Sequence, residues 1–149
     1  MAHSLKDVAA NMDLFFESVG IGNDLKEAEI WGVYETEQGL DKVLSDSGKD
    51  IYALLATRTL AQTLHYNDYA VVVTCGWASQ NMDSDLPPSQ QKDRKRVRLI
   101  VVTDKNGVMS SVIRIQGNDE PVFDDGEASG SLADAIKEAV KRKPFTERE

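Results

Sequence analysis

The sequence predicts an α+β domain in which helices pack on an antiparallel β-meander of three or four strands. Three observations support this. Apolar residues recur every three or four positions near both ends of the chain, which is the helical period. A segment rich in β-branched residues lies in the middle. Two alternating segments follow it with only a short turn between them, which leaves no room for the crossover helix of a parallel sheet. Residues 1–149 are therefore expected to form a single layered domain.

The first predicted helix lies close to the N-terminus. Ser4 followed by Asp7 resembles a capping box, and Gly20 with Gly22 would end the helix. Its apolar positions share one face: Leu5, Val8, Ala9, Met12, Phe15, Phe16 and Val19.

The next region is predicted to hold one strand and two helices. Residues 28–35 alternate and are apolar on both faces, which is typical of a strand. A short helix is predicted over Glu37–Leu44, with Thr36 as its cap. Asp50 is then expected to cap a longer helix that runs to about Leu64 and has a wide apolar stripe.

The middle of the chain is predicted to be a strand followed by a long loop. Neither face of Tyr69–Trp77 is polar, so this segment is expected to be a central strand covered on both sides. Residues 78–94 are polar, contain Pro87 and Pro88, and show no periodicity. They are expected to form a mobile loop.

A β-hairpin is predicted from Arg96–Asp104 and Val108–Gln116. The connecting residues Asp104–Gly107 suit a type I turn that closes on a left-handed glycine. That turn sets Leu99 opposite Ile113 and keeps the apolar side chains on one face. A tighter two-residue turn would mix apolar and charged residues on each face.

The C-terminal region is predicted to be an acidic loop over Gly117–Gly130 and then a helix from Ser131. Three consecutive basic residues suit the end of that helix, where cations interact favourably with its dipole, and Pro144 terminates it. The tail 145–149 is expected to be frayed.

Composition excludes several classes of function. The chain has 149 residues and a formal net charge of −8, which argues against nonspecific binding to nucleic acid. One cysteine and two histidines do not suffice for a conventional zinc site or an internal disulfide. No apolar run approaches the roughly 20 residues of a membrane span, and the N-terminal residues lack the layout of a secretory signal. We therefore expect a cytoplasmic protein without a membrane partner, a metal or a cofactor.

One basic island stands out from this acidic background: Lys92, Arg94, Lys95, Arg96 and Arg98. Alternation would place Arg94, Arg96 and Arg98 on one face, and the predicted hairpin sets Arg98 directly opposite Arg114. Like charges in such a pair are destabilising unless something neutralises them. The neutralising group is a bound anion, an acidic patch of a partner, or carboxylates of the chain itself. These four arginines are the candidate anion- or partner-binding site, and the chain's own 25 acidic residues are the default explanation.

Two catalytic alternatives are weaker. Cys75 with His65 would form a nucleophile and base, but Cys75 shares a face with apolar strand residues and is expected to be a core side chain. The acidic loop over 119–127 offers carboxylates to a cation, but their spacing does not match an EF-hand. The sequence has no GxSxG elbow, Walker A loop or GxGxxG loop.

The leading hypothesis is therefore a non-catalytic protein-interaction or regulatory domain. An antiparallel hairpin leaves a sheet edge that can pair with a partner strand or with a second copy in a homodimer. A small enzyme and an anion-binding protein are the alternatives.

Overall fold

The structure, a computed structural model, describes residues 4–20, 25–78, 95–117, 120–125 and 131–142. Its elements in chain order are α1 (Leu5–Ser18), β1 (Ala28–Thr36), β2 (Gly39–Gly48), α2 (Ile51–Leu55), α3 (Thr59–Tyr66), β3 (Tyr69–Ala78), β4 (Lys95–Thr103), β5 (Met109–Ile115), β6 (Val122–Asp125) and α4 (Ser131–Val140).

The six strands form one antiparallel sheet in the order β2-β1-β3-β4-β5-β6. The α+β class is confirmed, but the sheet has six strands instead of the predicted three or four. The two strands that sequence patterns missed, β2 and β6, are the outermost ones. An edge strand buries fewer side chains than a central strand, so its sequence carries a weaker pattern.

Helices cover both faces of the sheet, which makes three layers. Helix α1 packs on one face, and α2, α3 and α4 pack on the other. Strand β3 supplies apolar side chains to both cores because successive side chains alternate between the faces. It gives Val71 and Val73 to the α1 side and Ala70 and Val72 to the other, and all four are fully buried. The prediction of a central strand at Tyr69–Trp77 is confirmed.

The predicted helix over Glu37–Leu44 is wrong. A turn at Glu37 and Gln38 joins β1 to β2, and Gly39 takes φ +130° where the second strand begins. Leu40, Val43 and Leu44 have a spacing that also suits a helix. Pairing with β1 along the full length of β2 overrides this local preference.

The long helix expected after Asp50 is divided into α2 and α3. The Asp50 side chain accepts a hydrogen bond from the Tyr52 amide at 2.9 Å, which confirms the predicted cap. The division lies at Thr57, whose hydroxyl donates to the Leu54 carbonyl at 2.7 Å. Such a local side-chain hydrogen bond competes with helix continuation.

The hairpin β4–β5 has the predicted register. Leu99 lies opposite Ile113 and Arg98 opposite Arg114. Gly107 takes φ +80°, and the Asp104 carboxylate accepts hydrogen bonds from the amides of Asn106 and Val108. The capping box at the start of α1 and the helix beginning at Ser131 are also confirmed.

The region predicted as an acidic loop, Gly117–Gly130, contains strand β6. This short strand pairs with β5, so Val112 lies opposite Phe123. Three other predictions fall on residues outside the described ranges. They are the loop over 79–94, parts of the acidic segment and the frayed tail 145–149. Across the described ranges, no helix is both long enough and apolar enough to cross a bilayer.

Candidate functional site

The opposed arginines of the hairpin meet two carboxylates of α1. The Arg98 guanidinium donates to Asp13 Oδ1 at 2.6 Å and to Glu17 Oε2 at 3.1 Å. Arg114 donates to the other oxygen of Asp13, and its Nε lies 3.5 Å from Glu17. We call these four residues the α1 ion-pair cluster.

Burial makes this cluster different from an ordinary surface salt bridge. The side chain of Arg98 is 0% exposed and that of Asp13 is 2% exposed, whereas Arg114 and Glu17 are 12% and 37% exposed. The hydrogen bond to Asp13 and the charges of Asp13 and Glu17 together raise the pKa of Arg114, although burial opposes them. The ion pairs of this cluster hold α1 against β4 and β5.

Sequence reasoning missed Asp13. It lies four residues after Ala9 and three before Phe16, on the border of the apolar stripe of α1. When a sequence predicts two opposed arginines, a carboxylate at the edge of an apolar helix stripe indicates a candidate ion-pair partner for them. Of the three groups that were expected to neutralise the Arg98–Arg114 pair, the structure contains the third: carboxylates of the chain itself.

The other arginines of the predicted site are placed differently. Arg96 shares the strand face of Arg98 and is half-buried, with its amide donating to Gln116 Oε1 at 3.2 Å. Arg94 lies outside the described residues. Arg96, Arg98 and Arg114 line neither the cleft between Ser45 and α3 nor the cleft between Lys105–Gly107 and α4.

The structure does not bring Cys75 and His65 together. Cys75 lies opposite Arg98, so its side chain is on the α1 face of the sheet, whereas His65 belongs to α3 on the opposite face. Cys75 is also six residues beyond the start of β3, about 20 Å along the strand. Among the described residues, no group of three or more His, Cys, Asp or Glu side chains is arranged to hold a metal ion.

The outer edge of β2 directs main-chain N–H and C=O groups away from the sheet. The Val33 carbonyl accepts from the Asp68 amide on the β3 side of β1, so Val33 directs its backbone groups away from β2. Its partner Lys42 is then in a non-hydrogen-bonded pair and directs its own N–H and C=O outward. By the same alternation Leu40 and Leu44 do so too. Within the described residues no strand lies beyond β2.

Apolar side chains accompany this edge on both faces of the sheet. Leu44 is 46% exposed on the α1 face, beside Lys42, whose ammonium lies 5.0 Å from the centre of the Phe15 ring. Val43 is 48% exposed on the other face, where Tyr34 is its diagonal neighbour. We call the segment Leu40–Leu44 the β2 edge.

A β-bulge limits the β2 edge. The pairing between β1 and β2 shifts by one residue after Leu44, which leaves Ser45 as the extra residue. The Thr63 and Ser45 hydroxyls lie 2.9 Å apart and tie this bulge to α3. The regular part of the edge therefore ends at Leu44.

Comparison with protein-family models, with curated proteins and with solved structures finds no match to this chain.

Proposed function

We propose that this protein is a non-catalytic protein-interaction domain that self-associates through the β2 edge. The observation that supports the proposal is the outward direction of the N–H and C=O groups of Leu40, Lys42 and Leu44 on an outermost strand. A second strand that pairs there gains main-chain hydrogen bonds without any change in the sheet, which is the mode of β-augmentation.

A second copy of the chain is a complementary occupant. A twofold axis normal to the sheet at Val43 pairs the two β2 edges antiparallel and keeps each face on its own side. Lys42 then lies opposite Leu44 of the second copy, and both of these residues direct their backbone groups outward. The two Val43 side chains meet on the axis. No like charges are opposed in this register, whereas an axis at Lys42 would oppose two ammonium groups.

The α1 ion-pair cluster supports a non-catalytic reading of the molecule. Its buried arginine and aspartate side chains form ion pairs with each other, and Arg98 and Asp13 are closed to solvent. The same cluster fixes α1 to β4 and β5, which are separated from β2 by β1 and β3 in the strand order.

The test measures the molecular mass of the protein in solution as its concentration is raised. The parent chain is compared with two variants of Lys42. Light scattering or sedimentation equilibrium from about 1 µM to about 1 mM should show a dimer that grows with concentration. Lys42→Pro removes the outward N–H while leaving the hydrogen bonds to β1, because Lys42 does not donate to β1. We expect Lys42→Pro to remain a monomer throughout this range.

Lys42→Ala is the matched control, since it removes the same side chain and keeps the N–H. Its dimer dissociation constant should stay within about threefold of the parent. Circular dichroism and Tm establish that both variants fold. A parent chain that stays monomeric at the highest concentration contradicts the proposal, as does a folded Lys42→Pro that dimerises as well as Lys42→Ala.

A further inference from the structure

A cleft of about 310 Å³ lies between the β4–β5 turn and the C-terminal half of α4. Its lining is Lys105, Asn106 and Gly107 from the turn and Lys137, Val140 and Lys141 from the helix. We call it the lysine cleft. Three lysines that line one concave surface are unexpected in a chain with a net charge of −8.

The elements that carry these lysines are held in place. Asp104 accepts from the amides of Asn106 and Val108 at 2.8 and 3.2 Å, and the Gly107 amide donates to the Asp104 carbonyl at 3.1 Å. Lys137 lies in the last turn of α4 and Lys141 directly follows the helix, four residues later, and both line the cleft. Ile136 and Ala139 anchor that helix in the core with no exposed surface.

Among the described residues, carboxylates pair only weakly with the lysines of this cleft. Lys141 lies 3.6 Å from Glu138, but both side chains are highly exposed and such a pair is weak. The Asp104 carboxylate is engaged by the two turn amides. Lys105 and Lys137 have no ion-pair partner among the residues that the structure describes. The C-terminal dipole of α4 attracts cations as well, yet it does not account for Lys105, which belongs to the turn.

We propose that the lysine cleft binds a small phosphate-bearing molecule. Compact ammonium groups on flexible stems suit phosphate oxygens as point charges. A cleft of this volume admits a small molecule, and the half-buried Val140 gives its non-ionic part an apolar contact. The acidic balance of the rest of the chain disfavours a long polyanion such as nucleic acid. This site is separate from the β2 edge and from the arginines of the basic island.

Inorganic pyrophosphate is the probe. Titration by calorimetry and by amide chemical shifts at low ionic strength should show saturable binding, with the shifts confined to residues 105–107 and 137–141. The double substitution Lys137→Gln with Lys141→Gln should weaken binding about tenfold or more. Raising the salt concentration should weaken it as well.

The matched control is Lys26→Gln with Lys49→Gln, because both lysines are exposed and neither lines the lysine cleft. This control loses the same two charges, and its affinity should stay within about twofold of the parent. Equal weakening by the two double variants would mean that pyrophosphate responds only to net charge, and would overturn the proposal. Absence of saturable binding would overturn it too.

Discussion

Asp13 allows two arginines to face each other inside the molecule. Its two carboxylate oxygens are divided between Arg98 and Arg114, and its side chain is almost fully buried. Burying one partner of such a set without the other leaves an uncompensated charge, which costs far more than an exposed salt bridge contributes.

Substitution of this residue should therefore have a large effect. We expect Asp13→Asn to lower the free energy of unfolding by about 3 to 5 kcal/mol, because the guanidiniums of Arg98 and Arg114 then oppose each other with only the partly exposed Glu17 as countercharge. Urea denaturation measures the change.

Glu17→Gln on the same helix is the control and should cost less, since Glu17 is partly exposed and Asp13 remains in place. If Asp13→Asn and Glu17→Gln proved equally mild, the α1 ion-pair cluster would not be what holds α1 to the sheet.

Tyr69 gives the molecule a dependence on alkaline pH. Burial, and then the charges of Glu35, Asp68, Asp104 and Asp7, raise the pKa of Tyr69 above its usual value of 10.0. The folded protein therefore keeps this proton at a pH where the unfolded chain has lost it. The stabilisation is complete below about pH 10 and is lost as pH rises beyond that value.

Tyr69→Phe should reduce this loss, because phenylalanine has no proton to release. Unfolding free energies at about pH 9 and about pH 11 should differ less in Tyr69→Phe than in the parent. Tyr66→Phe, at an exposed position, is the comparison. Parallel pH profiles for the parent and Tyr69→Phe would contradict the assignment.

At the scale of the element, the close approach of α3 to β1 depends on one glycine. A Cβ on Gly32 would lie 2.4 Å from Asn67 Nδ2, and that same nitrogen donates to the Thr63 carbonyl at 2.9 Å. Adding a methyl group at Gly32 must displace the amide and break this hydrogen bond.

Gly32→Ala should therefore destabilise the fold by about 1 to 3 kcal/mol. Asn67→Ala removes the obstructing amide, so Gly32→Ala should cost much less in that background. A double-mutant cycle by urea denaturation measures the coupling. Additive effects of the two substitutions would show that they do not clash.

Sequence patterns sufficed where an element is determined by its own residues. The hairpin of β4 and β5 follows from alternation and from the turn at Asp104–Gly107, so its register and the Arg98–Arg114 pair were predictable. Residues 39–48 were not, because their few apolar positions fit a helix and only pairing with β1 decides the outcome. Strand β6 has four residues and likewise depends on its neighbour.

For the candidate sites too, local features could be predicted and contacts between distant segments could not. Opposed arginines could be predicted from local register, but their neutralising carboxylate is Asp13, 85 residues before Arg98. The lysine cleft joins Lys105 to Lys137 and Lys141, which are more than thirty residues later in the chain. No periodicity within either segment indicates which distant element it contacts.

At the scale of the whole molecule, the sheet should show a gradient of local stability from centre to edge. Amide hydrogens of Val71, Val72 and Val73 lie in a central strand with both faces covered and should exchange only through global unfolding. The outward amide of Lys42 should exchange rapidly in dilute solution. Native-state exchange followed by NMR measures both.

Raising the protein concentration should then protect the Lys42 amide and leave the exchange of Val72 unchanged. The selectivity follows because pairing at the β2 edge covers only outward amides. Protection of the Lys42 amide already present at the lowest concentration would mean that some part of this chain covers the β2 edge. A second copy could then not pair there, which would contradict the proposal.

The wide sequence separation within the α1 ion-pair cluster has a consequence for synthesis on the ribosome. Asp13 is translated 101 residues before Arg114, so the N-terminal helix emerges long before its second guanidinium exists. Until then Asp13 has no complete set of countercharges, and α1 can dock fully only when most of the chain has left the exit tunnel. Helix α1 is translated before the other described elements, yet it is among the last to reach its final position.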